Sequence, residues 1–197
     1  MMMRHFILAV AAFAATHCAG ASAPSADPPD TFMAAVRQHC GGAFEGKIVA
    51  NDPPPADDAF AGRTLVMHVR ECGDEEIRIP FHVGEDRSRT WVLTRTSTGL
   101  RLKHDHRHED GSPDTLTMYG GETAAAGTPI RQEFPVDAES RALFERERLA
   151  ASMTNTWAME IEPDRRFRYE LARPGRIFQV DFDLSAPIAA PPPPWGQ

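Results

Sequence analysis

The chain has 197 residues, with 21 Lys and Arg against 28 Asp and Glu, and a formal charge of −7. This acidic balance argues against nucleic acid as a partner, because phosphates demand a basic surface. The length suits one domain around one core, and no apolar run reaches the ~20 residues of a transmembrane helix.

The chain opens MMMRHFILAVAAFAATHCAGASA. Arg4 supplies a positive start, Phe6 to Ala15 an apolar run, and Ala19-Gly20-Ala21 a small-x-small cleavage site. The pattern predicts a signal peptide over residues 1–21 and a periplasmic or secreted protein. Cys18 follows His17, where a lipoprotein signal wants a small residue, so a free chain is expected rather than a lipid-anchored one. Loss of Arg4 with the leader leaves a charge of −8 and two cysteines, Cys40 and Cys72. An even pair in an oxidising compartment predicts a disulfide.

Residues 22–30 read as a Pro/Ser/Ala spacer. Asp30 or Thr31 would cap a short helix whose Phe32, Val36 and Cys40 share one face, ended by Gly41-Gly42. Strands with period-two alternation follow. Residues 43–50 form the first. Leu65, Met67 and Val69 pair with Val83, Phe81 and Ile79, with Ile77 beyond, around a three-residue loop, Gly73 to Glu75. That register turns Cys72 away from the core and leaves His68 and His82 on the surface. Trp91 and Leu93 precede a Thr98-Gly99 turn, and Leu100 and Leu102 follow it. Leu116 and Met118 lead to Gly120-Gly121. Asp137 caps a second helix over 138–149. Trp157, Met159 and Ile161 form a late strand. Phe167, Tyr169 and Leu171 then face Phe178, Val180 and Phe182 across Arg173-Pro174-Gly175. The Pro-rich tail, 187–197, is expected to be extended and mobile.

These elements predict an all-β domain over residues 31–186. The expected architecture is a single antiparallel up-and-down barrel of about eight or nine strands with two short helices, because closure hides one apolar face and removes the edges. It is broadly similar to lipocalin and other calycin-type barrels. A β-sandwich is the alternative.

The stretch Lys103-His104-Asp105-His106-Arg107-His108-Glu109-Asp110-Gly111 holds three of the six histidines left after cleavage. In a strand, His104, His106 and His108 share the face of Leu100 and Leu102, the inner wall of a barrel. Pairing through the Thr98-Gly99 turn would set Leu93 against His104 and Trp91 against His106. Imidazole is the commonest transition-metal ligand, so His104, His106 and His108 are candidate ligands for a divalent metal, zinc or iron. Strand neighbours two apart lie ~7 Å from one another, so two can share an ion but three cannot. Glu122, Asp114 or Glu133 would complete such a site. The order Gly99, His104, His106, Glu109 resembles the metal motif of cupins, with spacings one or two residues off and without that family's later histidine. The plainer expectation is a polar strand at a solvated barrel mouth.

The segments IPFHVGEDRSRTW and KHDHRHEDGSPDTLTMYGG together resemble an uncharacterised family of secreted bacterial proteins. That resemblance implies export and a single domain, and carries no activity. The leading expectation is a non-enzymatic exported barrel that binds a small molecule inside. Trp91, Trp157 and Tyr169 would line the cavity, and His104 and His106 would supply its polar groups. The rivals are a metal-dependent enzyme on the same histidines and a structural or envelope-interaction protein with a filled core.

Overall fold

The computed structural model describes residues 27–197. The expected signal peptide, Cys18 and spacer residues 22–26 lie outside the described residues. A first helix, α1, spans Pro28–Arg37. It starts two residues ahead of the expected Asp30 cap because prolines are tolerated at the first helical positions, where no amide donor is needed. Phe32, Met33 and Val36 are buried on its inner face.

Eleven strands follow among the described residues: β1 (Ala43–Asp52), β2 (Leu65–His68), β3 (Glu71–Cys72), β4 (Glu76–Val83), β5 (Asp86–Arg95), β6 (Leu100–His106), β7 (Tyr119–Glu122), β8 (Arg131–Pro135), β9 (Thr156–Glu162), β10 (Arg166–Arg173) and β11 (Arg176–Ile188). A second helix, α2, spans Ala138–Arg146, and a 3-10 turn covers Ala150–Thr154. Asp137 caps α2 as expected, its carboxylate accepting from the Ser140 amide at 2.8 Å.

Ten strands form one antiparallel path, β7-β6-β5-β4-β2-β1-β11-β10-β9-β8, and β3 pairs with β4 beside it. The sheet curls into a nearly closed barrel, not a sandwich. First and last long strands pair with each other, β1 with β11, so the seam falls mid-chain between β7 and β8. The seam is held by a bridge between Gly121 and Val136 and by the Asp137 amide donating to the Gly120 carbonyl at 3.1 Å. Only glycine fits there. A Cβ on Gly121 would stand 2.0 Å from the Pro135 carbonyl oxygen, and one on Gly120 1.9 Å from that of Leu102.

The long strands turn an apolar face inward. Ile79, Phe81, Leu93, Leu102, Met159, Phe167, Val180 and Phe182 are all buried. The last hairpin has the expected register, Phe167 opposite Phe182, Tyr169 opposite Val180 and Leu171 opposite Phe178. Helix α1 packs on β5, β8 and β9 and closes the barrel at that end. The Cys40–Cys72 disulfide is formed and ties the segment just after α1 to β3.

Five local expectations are corrected. Cys72 pairs with Ile77 rather than Glu76, and its side chain packs against the core. The one-residue shift between the Met67–Phe81 and Glu71–Arg78 pairs reverses its face. In the β5–β6 hairpin the loop is Thr96–Gly99, four residues rather than two. Trp91 therefore faces His104, Leu93 faces Leu102, and Arg89 faces His106. The hydroxyl oxygen of Thr96 accepts from the Gly99 amide at 3.1 Å and fixes that loop. Leu116 and Met118 are not in a strand: β7 begins at Tyr119, and Met118 adopts φ 55° and is exposed. His82 is buried rather than at the surface, with 4% of its area exposed and its Nε2 unpaired. The tail is docked rather than free. Trp195 is half-buried with its indole nitrogen covered, its amide donates to the Arg87 carbonyl at 3.1 Å, and Arg87 donates to the Pro193 carbonyl at 3.0 Å.

Candidate functional site

The barrel's other end holds a cavity of about 350 Å³. Its inner wall is aromatic because the inward positions of β4, β5, β10 and β11 at this level are Phe81, Trp91, Tyr169 and Phe178. Trp91 stacks on Phe81 at 4.8 Å on one side and on Tyr169 at 4.4 Å on the other. Phe60, from the loop after β1, packs at a tilt against Phe178 at 4.8 Å. Phe144 of α2 and Leu149 after it form the flank beside β7. All five residues expected to line a ligand cavity, Trp91, His104, His106, Trp157 and Tyr169, border this one space.

The polar part of the wall is a chain of neutral groups. His104 is buried in the middle of β6. Its Nδ1 faces the Tyr119 carbonyl at 3.1 Å and its Nε2 faces the Tyr169 hydroxyl at 2.9 Å. A carbonyl only accepts, so Nδ1 carries the proton and the Nε2 lone pair takes the proton donated by Tyr169. The Tyr119 ring stacks flat on His104 at 4.8 Å, and its hydroxyl reaches Nε2 of His106 at 3.2 Å. Burial pushes the His104 pKa down to about 3 and that of His106 to about 4. Burial pushes the Tyr119 phenol up to about 12, and Tyr169 is raised as well. All four groups are therefore uncharged at pH 7. The charged groups on the lining are Arg89, Arg173, Arg176 and Asp114, the only carboxylate.

This wiring does not suit a metal centre on the expected histidines. Both ring nitrogens of His104 are already bonded. His108 lies beyond the end of β6 and is exposed, because the strand stops at His106. Glu133 is paired with Arg131 and Glu122 approaches Arg101, so of the three expected helpers Asp114 alone borders the cavity. Among the described residues no three His, Cys, Asp or Glu side chains converge on one point. Nor does the wall suit proton transfer at neutral pH, since its imidazoles and phenols are shifted away from 7.

The outward residues of β6 are not a solvated polar face. Lys103 is buried and paired with Asp137 at 2.9 Å and Glu139 at 2.8 Å, fastening α2 to the barrel. Asp105 is buried between Arg107 at 2.9 Å and Arg78 at 3.6 Å and accepts from the Thr117 hydroxyl. The alternation of the segment thus separates a wall of imidazoles inside from ion pairs outside.

Sequence reasoning missed Tyr119, which connects His104 to His106. Placing Leu116 and Met118 inward put Tyr119 on the opposite face, and the left-handed turn at Met118 resets that phase. It also missed Arg173, read only as part of a turn, and Arg176. No helix among the described residues is long and apolar enough to cross a membrane. No protein-family model, curated protein or solved structure matches the chain.

Proposed function

We propose that this is an exported barrel that binds a small molecule in its interior and performs no chemistry on it. The observation that carries the reading is the cavity of about 350 Å³ at the mouth of the barrel, bordered by the stacked aromatic rings of the core. Ligand sites are typically ~300–1,000 Å³, mostly apolar, with a few placed polar groups. The cavity lies at the lower end of that range. The neutral state of His104, His106, Tyr119 and Tyr169 supports binding over acid–base catalysis, and the bonded nitrogens of His104 weigh against the metal-enzyme rival. A structural protein with a filled core would not keep this space. The disulfide and the N-terminal sequence support an extracytoplasmic location.

Native mass spectrometry of protein isolated from its own host, without refolding, tests this. The expected spectrum holds a species heavier than the bare chain, whose extra mass leaves as one small molecule on denaturation. The bare mass alone, together with no rise in melting temperature across a panel of small aromatic acids and amides, would overturn the proposal.

A further inference from the structure

Two cations at the cavity rim are set against each other. Arg173 and Arg176 are directly opposed across the Pro174-Gly175 turn of the last hairpin, and both border the cavity. Like charges directly opposite on a sheet repel and destabilise the pair. Among the described residues neither forms an ion pair with a carboxylate, whereas Arg89 on the same lining is paired with Asp86. Neutral oxygens hold the two guanidiniums instead. Arg173 donates to Asn155 Oδ1 at 3.2 Å, and Arg176 donates to Asn51 Oδ1 at 2.6 Å. The Asn51 amide in turn donates to Asp58 at 2.7 Å, so Asp58 acts on Arg176 through Asn51 and, like Asp52, across space rather than in an ion pair. Burial and the neighbouring Arg173 both hold the Arg176 pKa below its usual value. In a chain with seven more acids than bases, these two arginines lie, among the described residues, without an ion-pair partner where the cavity meets solvent.

The surroundings give the rest of the ligand its shape. Arg176 sits 5.8 Å over the Phe178 ring, Phe178 packs at a tilt against Phe60, and Arg89 lies 5.7 Å over Phe60. Arg176 and Arg89 are thus anchored over aromatic faces. A planar body entering between them meets the parallel rings of Phe81, Trp91 and Tyr169. Guanidinium forks match a carboxylate in two parallel hydrogen bonds.

We infer that the ligand is a flat, apolar carboxylate, its ring system lying along the edges of the stacked Phe81, Trp91 and Tyr169 rings and its anionic group held between Arg173 and Arg176. This deepens the proposed function and rests on it. The cavity volume limits the body to about one or two fused rings, at the small end of the ligand-site range.

The probes are 2-naphthoate and its neutral isostere 2-naphthamide, titrated against the full-length exported protein with tryptophan fluorescence as readout. The expected result is naphthoate binding at least tenfold tighter than naphthamide, with the preference shrinking as salt rises from low to high. In the R173Q/R176Q double variant the preference should disappear, while naphthamide binding and the thermal melt report that the fold survives. Equal binding of the two probes to the unaltered protein overturns the anion clamp and leaves the interior site standing. So does a preference for naphthoate that persists in the folded double variant. Failure of both probes to bind counts against the clamp and the interior site together.

Discussion

Acidification from pH 7 to pH 4 is expected to unfold this protein cooperatively, with a midpoint between about pH 4 and 5. The cause is three imidazoles kept neutral by burial. His104 is lowered to about 3, and His106 and His82 to about 4, from an ordinary value of 6.5. Above pH 6.5 these groups are neutral in both folded and unfolded chains, so they contribute no pH dependence. Below it the unfolded chain takes up protons that the folded barrel refuses. Stability therefore falls as pH drops, and the loss continues until the folded values near 4 and 3 are reached. Each histidine contributes about 1.4 kcal/mol per pH unit across its window. Three acting together remove a large share of a typical total stability of ~5–15 kcal/mol by pH 4. His82 adds to this from the outer face of β4, where Arg87 and His68 also disfavour a charge. Circular dichroism followed against pH checks the window. His82→Phe and His104→Gln should each move the midpoint to lower pH. A barrel that stays folded at pH 3.5, or a midpoint unmoved by both substitutions, contradicts the account.

Replacing the Cys40–Cys72 disulfide is expected to cost about 3–4 kcal/mol, from the chain entropy released when a loop closed over a sequence separation of 32 is opened. For a domain of this size that is roughly 10 °C in melting temperature. The loss should act on one end of the barrel. Cys72 sits in the two-residue strand β3, and Cys40 lies three residues past α1, the helix that plugs that end with Phe32, Met33 and Val36. Arg37 reinforces the junction by donating to the Gly73 and Asp74 carbonyls at 3.1 and 2.8 Å. A C40S/C72S variant, or the native chain in reductant, should melt earlier and exchange the α1 amides first. Melting curves that coincide with and without the bond would sink this prediction. The cavity lies at the opposite end, so probe affinity measured well below the melt should change little.

Much of the barrel was legible because its strands repeat with period two. A shift of two residues, as in the β5–β6 hairpin, leaves every side chain on its own face, so the aromatic lining was identifiable even where the pairing was misplaced. A shift of one residue is not forgiven, and both errors of face arose that way, at Cys72 and at Tyr119. Strand β8, RQEFP, gave almost no signal: its two inward side chains are Gln132 and Phe134, and a buried glutamine breaks the apolar pattern. Gln132 is tolerated because its side-chain amide donates to the Ala126 and Thr128 carbonyls, partners set by a loop rather than by its strand. Lys103 and Asp105 look solvated in the sequence and are buried, because α2 and the residues after β6 bring partners over them. Tertiary neighbours likewise decide the position of Trp195, whose proline-rich surroundings suggest a mobile end. Arg173 and Arg176 carry no motif, and their significance is visible only once the hairpin places them at a cavity rim.

The proposed function requires that a small molecule enter the barrel rather than adhere to its surface. The chain's three tryptophans separate these cases. Trp91 and Trp157 line the cavity, whereas Trp195 belongs to the docked tail and does not. In a two-dimensional proton–nitrogen spectrum each indole N–H gives its own signal. Titration with 2-naphthoate should move the Trp91 and Trp157 indole signals in a saturable way and leave that of Trp195 in place. Movement of the Trp195 signal alone, or three stationary signals, would contradict an interior binding site.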